Sequence, residues 1–447
     1  MPARRFARWL VLALLAAALP AHAILPIQHW QTANGARVYF IENRDLPMLD
    51  ISVEFPAGSG YDRTDKAGVA AMTNRLLAAG AEGMSEDDIA RAMADVGAQL
   101  GSRFDSDRAG LSVRALSSAR ERGRALDIMG RLLRSPSFPQ AVLEREKVRL
   151  IGALKESDTQ PATIASLTFH RLAYPGHPYG LRGTGEVETV QKIAREDLAQ
   201  FHRRYYSAQY AVVALIGDLS RADAEAIAEQ VTRGLPRADG AEPELQAVQP
   251  LAAGTARRIP HHAQQAHILI GAPGVKRDDP DYIPLYVGNY VLGGGGLVSR
   301  MSVEVRGKRG LAYSAYSYFS PLKREGPFVI GMQTQRDQAG EALKVADTVL
   351  REFLERGPTE TEVAAAKKGI VGGFPLRIDT NRKIHGYLAL IGFYRLPLTY
   401  LEDFVKRVEA VTIPEIRAAF KRHVDPDRLV TVVVGSEPEK SARAEGR

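Results

Sequence analysis

No cysteine occurs among the 447 residues, which excludes disulfides, thiolate catalysis and cysteine-based metal sites. Long apolar runs are missing as well. The run from Trp9 to Leu19 covers 11 residues, against about 20 needed to cross a bilayer. Because Arg4, Arg5 and Arg8 precede it and Pro20 and Ala21-His22-Ala23 follow, the segment 1–23 reads as a secretory signal cut after Ala23, and the protein is expected to be periplasmic or otherwise exported. The paired Arg4-Arg5 lacks the rest of a convincing twin-arginine motif, so the general secretory route is expected. No Ser, Gln or Pro tract signals disorder before the last residues, 438–447, which read as a loose tail. Nor is there a basic stripe with interleaved aromatics. Loss of the leader lowers the net charge from +7 to +4, and the remaining excess is spread along the chain, which argues against nucleic-acid binding.

The chain is about three times the usual single-domain length, so two hydrophobic cores are expected. Two segments repeat one another. Phe201-His-Arg-Arg-Tyr-Tyr206 before Ala211-Val-Val-Ala-Leu-Ile-Gly-Asp218 is matched by Phe420-Lys-Arg-His-Val424 before Leu429-Val-Thr-Val-Val-Val-Gly435. Each is a helix end, a turn and an apolar run closed by glycine, the pattern of a buried strand. The aperiodic stretch from Pro236 to Gly254, taken to residue 256, reads as a linker between units 24–235 and 257–437.

Within the first unit, Val38–Ile41 and Met48–Phe55 read as strands that should form a hairpin, with Leu49, Ile51, Val53 and Phe55 on one face. Lys66–Ala79 and Ser85–Val96 read as helices, the second opening on a Ser85/Asp88 capping box. A strand at Leu111–Leu116 and a series of helices over Leu126–Leu172 follow. The second unit repeats the outline with a strand at Ala266–Gly271, a helix at Tyr282–Leu292 and strands at Ala312–Phe319 and Phe328–Gln333. The fold expected is α+β: two homologous domains, each a mostly antiparallel sheet covered by helices on one side.

Four segments carry a resemblance. They are Phe55-Pro-Ala-Gly-Ser-Gly-Tyr-Asp62 followed by Ala67 to Leu77; Tyr205-Tyr206 before Gly217-Asp218; Leu292-Gly-Gly-Gly-Gly296 with Ser299-Arg300; and Arg306-Gly-Lys-Arg-Gly-Leu-Ala-Tyr313-Ser314. In this order and spacing the chain resembles the pitrilysin/insulinase family of zinc peptidases over essentially its whole mature length, as a half-clamshell. The resemblance implies an inverted zinc motif, His-x-x-Glu-His, with a third acidic ligand about 77 residues further on. Two histidines at i and i+4 share a helix face and converge on the ion, with the glutamate beside them as general base. Here those positions hold Ala71, Asn74 and Arg75, and the third-ligand neighbourhood, beyond Glu144-Arg-Glu146, reads Leu150-Ile151-Gly152-Ala153. Arg75 would put a permanent positive charge where a cation should sit. No metal site is expected there, and the chain alone is expected to be inactive.

The resemblance also implies that Arg306 and Tyr313, seven residues apart, face a zinc across the chamber, orient the substrate backbone and stabilise an oxyanion. Tyr316, three residues along the same strand, is expected on its opposite face. Gly293, Gly294, Gly295 and Gly296 correspond to a glycine-rich substrate loop of some non-catalytic subunits; a phosphate cradle is the weaker reading, since no Gly-Lys-Ser/Thr follows. His261, His262 and His267 cluster in sequence, with His261 and His267 expected on one strand face, but without a nearby carboxylate they read as a surface junction. His170 and His177 read as packing or surface residues.

The resulting expectation is a non-catalytic subunit of a periplasmic heterodimeric zinc metallopeptidase, with no cofactor of its own. Zinc would be held by an active partner of the same family, and the substrate would be an unfolded or short peptide. A stand-alone peptide-binding or scaffold protein of the same fold is the alternative, and a hydrolase with an unrecognised site fits least.

Overall fold

The computed structural model describes residues 26–435; the signal segment and the tail lie outside these residues. Two sheets organise the chain. The first runs in the order β1-β2-β8-β3-β7-β6, with β1 Gln28–Gln31, β2 Arg37–Glu42, β3 Met48–Phe55, β6 Gln99–Phe104, β7 Ala109–Leu116 and β8 Val212–Gly217. The second runs β11-β12-β10-β13-β9, with β9 Thr255–Ile259, β10 Gln265–Val275, β11 Ala312–Phe319, β12 Gly326–Gln335 and β13 Val430–Val434. A small ribbon pairs β4 Gly80–Ala81 with β5 Met84–Ser85.

The sequence repeat is visible as topology. β8 lies between a parallel neighbour, β2, and an antiparallel one, β3; β13 lies likewise between β9 and β10. Each follows a helix and a short turn: Arg195–Tyr205 with Ala208–Tyr210, and Ile413–His423 with Pro426–Arg428. All other neighbours in the two large sheets are antiparallel.

The hairpin expected of β2 and β3 does not form, because β8 inserts between them. The reason is burial: every residue of β8 is buried, and a fully apolar strand belongs at the centre of a sheet, with neighbours on both edges. The connection from β2 to β3 passes the end of β8 at Gly217, where φ is +152° and a Cβ would stand 2.2 Å from the Met48 carbonyl oxygen. The helix expected from Lys66 begins later, at Val69, since Gly68 turns left-handed (φ +100°) against the carbonyl of Thr184. Ser85 does cap the helix Glu86–Ala94 through a capping box with Asp88.

Helices from its own half cover one face of each sheet, and the other face takes a helix from the opposite half. Asn381–Tyr394 crosses β8, β3 and β2, while Pro161–Ala173 crosses β10 and β13. The two cores interlock accordingly. Tyr39, Ile41, Val212, Ala214 and Ile216 belong with the second core, and Val430, Val432 and Val434 with the first. Residues 236–254 carry no helix or strand, yet they are tied down: Leu245 is buried and its carbonyl accepts from Arg324 at 2.7 and 2.9 Å, and Glu242 pairs with Lys323 and Arg395, both at 2.7 Å.

Candidate functional site

The positions of the zinc motif converge. Ala71, Asn74 and Arg75, on the helix Val69–Leu76, line a cavity of about 520 Å³ with Arg149, Leu150 and Ala153 of the helix Gln140–Ser157 and Ser102 and Phe104 of β6. Gly152 is exposed and has open space around it. The Arg75 guanidinium pairs through Nε with Glu146, whose carboxylate also accepts from Arg149 Nε at 3.2 Å. Asn74 is buried and donates to the carbonyl of Gly110 in β7 at 3.1 Å. Its amide nitrogen is therefore committed to the sheet. An alanine, a buried amide and an arginine already held by a carboxylate do not fit zinc: none offers a lone pair toward a shared centre.

The ground beneath this helix is unusual. Asp62 is buried and accepts from the Gly68 and Ala70 amides at 2.8 and 2.9 Å, at the start of the helix. Burial outweighs those two donors and pushes its carboxyl up to about 7. Tyr206, from the Tyr205-Tyr206 pair, is fully buried, packs on Phe55 at 4.8 Å and stacks on His202 at 5.0 Å.

In the second half Arg306 and Tyr313 meet. The guanidinium lies over the phenol ring, 4.6 Å from its centroid, and Tyr313 is 82% exposed. Both sit on irregular backbone. Arg306 belongs to a π-helical turn, Ser302–Gly307, and Tyr313 is the extra residue of a β-bulge between Ala312 and Ser314. Such widened turns and bulges re-aim side chains and recur at functional sites. The bulge also overturns one expectation. It shifts the alternation by one residue, so that Tyr313, Ser314, Tyr316 and Tyr318 are all exposed while Ala312, Ala315 and Ser317 are buried. Tyr316 therefore shares the face of Tyr313.

The glycine run splits into two kinds. A Cβ on Gly293 would stand 2.3 Å from the Ser317 amide nitrogen, one on Gly294 2.7 Å from the Asn289 carboxamide nitrogen, and one on Gly295 2.6 Å from the Tyr290 carbonyl oxygen. Gly293 thus serves close packing beneath β11, while Gly294 and Gly295 pack against the end of the preceding helix. Gly296, with φ +65° and nothing near it, opens the turn Gly296–Val298, on which Leu297 and Val298 are exposed. Although β11 is an edge strand, side chains cap its outer edge: Ser302 donates to the Ala315 carbonyl at 3.1 Å and Asn289 to that of Ser317 at 3.0 Å.

The histidines do not form the strand face expected of them. His261 lies in the loop before β10, bonds to the Thr159 carbonyl at 3.1 Å and stacks on His262 at 4.4 Å, whereas His267 lies within β10. His170 and His177 bond to the carbonyls of Ser166 and Gln246. Among the described residues, the group of histidine and acid side chains close enough to share an ion is Asp279, Asp281 and His423. Sequence reading missed it, because its members are about 140 residues apart. Both oxygens of Asp281 are taken by Arg422, at 2.6 and 2.7 Å, so an ion-pair cluster accounts for it.

Comparison with known proteins agrees with this geometry. Residues 37–184 match the family described as insulinase (peptidase family M16), and residues 192–370 match the peptidase M16 inactive domain. A solved structure described as a peptidase M16 inactive domain, from Pseudomonas fluorescens, superposes with a TM-score of 0.88 at 37% identity, over 93% of this chain and 98% of that one. A protein of Helicobacter pylori named as the non-peptidase homolog YmxG is 26% identical, over 91% of this chain and 94% of its own length. The structure of the periplasmic protease PqqL from Escherichia coli shares the fold at a TM-score of 0.79 and 14% identity, over 93% of this chain and 46% of that one. The chain belongs to the M16 insulinase peptidase family, as an inactive-type member whose own zinc-motif positions offer no metal ligand.

Proposed function

We propose that this protein is the non-catalytic subunit of an exported, periplasmic, heterodimeric zinc peptidase. An active member of the same family supplies the zinc and the general base; this chain supplies one wall of the chamber together with Arg306 and Tyr313. The observation that carries the reading is the Arg306–Tyr313 pair, preassembled on a π-turn and a bulge, with the Tyr313 ring presented to solvent. A fork of guanidinium donors and one phenol hydroxyl suit a peptide carbonyl that becomes an oxyanion. The turn Gly296–Val298 supports the reading too, since the bare backbone of Gly296 beside exposed Leu297 and Val298 lets an extended peptide approach closely.

The test is reconstitution with the family partner co-purified from the native host. Tyr313→Phe is expected to leave the complex assembled and to lower turnover about 100-fold, the scale of one lost oxyanion donor. Arg306→Ala is expected to raise KM as well. Tyr316 shares the exposed face and is unsuitable as a control; Tyr282→Phe, on the helix Tyr282–Asn289, is expected to change little. A Tyr313→Phe complex of full activity makes this chain a structural subunit instead, and recovery only as a monomer without a companion favours a scaffold.

A further inference from the structure

We infer that the cleft at the former zinc position is a binding site for the C-terminal end of a peptide, its free carboxylate held by Arg75 and Arg149 and its apolar side chains lying on Leu150, Ala153 and Phe104. The cavity of about 520 Å³ has Arg75 and Arg149 as its only charged lining residues. Its size falls in the range of roughly 300–1,000 Å³ that encloses small ligands, enough for a chain end and too little for a folded partner.

The arginines are oriented in an informative way. Both approach the same oxygen of Glu146 through Nε, Arg75 in a short contact and Arg149 at 3.2 Å. The other oxygen of Glu146 is approached by Arg145 Nε at 3.5 Å, and Arg145 reaches Glu86 through an Nη at 2.7 Å. Glu146, only 12% exposed, is thus an anchor, while the side chains of Arg75 and Arg149 remain 47% and 62% exposed. Among the described residues the Nη groups of Arg75 and Arg149 donate to nothing. Two guanidinium edges above an apolar floor match a second carboxylate, to which an arginine fork donates bidentately. The same cleft repels a cation, so its charge preference is the inverse of a zinc site's. A mid-chain Asp or Glu offers the same group, but its chain must leave the cleft on both sides; a chain end need enter only once. Hydrolysis of a peptide bond leaves such a carboxylate on one of its two products, which suits a subunit beside a peptidase. The binding itself needs no partner, so it stands or falls apart from the proposed function.

The experiment uses the full mature chain and fluorescein-labelled apolar pentapeptides read by anisotropy. The free-acid peptide is expected to bind at least tenfold tighter than the same peptide amidated at its C-terminus, and Arg149→Gln, at an exposed position, is expected to abolish that difference. Arg75→Gln should do the same while also releasing Glu146. Equal binding of acid and amide, or no saturable binding of the acid at millimolar concentration, overturns the inference. An amidated peptide with an internal Glu that binds as tightly as the free acid overturns the chain-end assignment, as does an Arg149→Gln protein that keeps the full acid preference.

Discussion

Asp62 shows how one side chain can report on a whole site. It accepts from the amides that open the helix bearing Ala71, Asn74 and Arg75, and burial pushes its carboxyl up to about 7, well above the ~3.9 of an exposed aspartate. Since the folded value is the higher one, the folded state binds the proton more tightly than the unfolded chain. Its contribution is complete below about pH 4 and is lost as the pH rises through about 7. The wild type is therefore expected to lose stability relative to Asp62→Asn between about pH 4 and about pH 7, as measured by urea denaturation at each pH; parallel curves would show that the charged form is accommodated. Metal analysis of the purified mature chain is expected to find no stoichiometric zinc, because Ala71, Asn74 and Arg75 replace both histidines and the glutamate. The loss of those ligands is legible in the sequence, since side-chain identity decides metal chemistry. That Arg75 is held by Glu146 is not, because it depends on two helices meeting.

At the scale of elements, irregularities do the positioning. The glycine run makes a contrast that can be measured. Gly293→Ala should cost about 1–3 kcal/mol, the scale of overpacking, as its Cβ would meet the Ser317 amide at 2.3 Å. Gly296→Ala, in open space with φ +65°, should cost about 1–2 kcal/mol, from the left-handed backbone and not from a clash. Thermal denaturation of the two variants separates them, and equal losses would mean that β11 yields to the added methyl. Most elements were readable from periodicity: Met48–Phe55 and Ala312–Phe319 have the bounds their patterns suggest, and the helix capped by Ser85 forms but ends at Ala94, short of Val96. β6 and β9 were missed, being exposed edge strands with almost no apolar alternation. The bulge at Tyr313 was equally hidden. Alternation tells which face a residue occupies only while one residue opposes one, and a single extra residue reversed the assignment of Tyr316.

The whole molecule is tied at its centre by Asp107. This buried carboxylate accepts from the hydroxyl groups of Tyr179 and Tyr394, the latter at 2.7 Å, and from the Lys323 amide at 2.7 Å. It thereby joins the β6–β7 turn of the first half to a loop and a helix of the second. Tyr394→Phe removes one of these donors without changing the packing of the ring, and should cost about 1–3 kcal/mol, the scale of an under-satisfied buried polar group. The loss should be seen in a single unfolding transition, since the halves share their cores; two separate transitions would show that they are thermodynamically independent. The twofold outline was legible from the repeated strand segments, but the exchange of helices was not. Nothing local in Asn381–Tyr394 or Pro161–Ala173 says which sheet each will cover.

That exchange is asymmetric in time. Pro161–Ala173 is synthesised before the sheet it covers, so β10 and β13 find their partner waiting. β2 and β8 must instead expose Tyr39, Ile41, Val212 and Ile216 until Asn381–Tyr394, about 160 residues further along the chain, arrives. A first half produced without Asn381–Tyr394 should thus bind holdase chaperones that the full chain sheds once that helix docks, as a pull-down of the two chains would show.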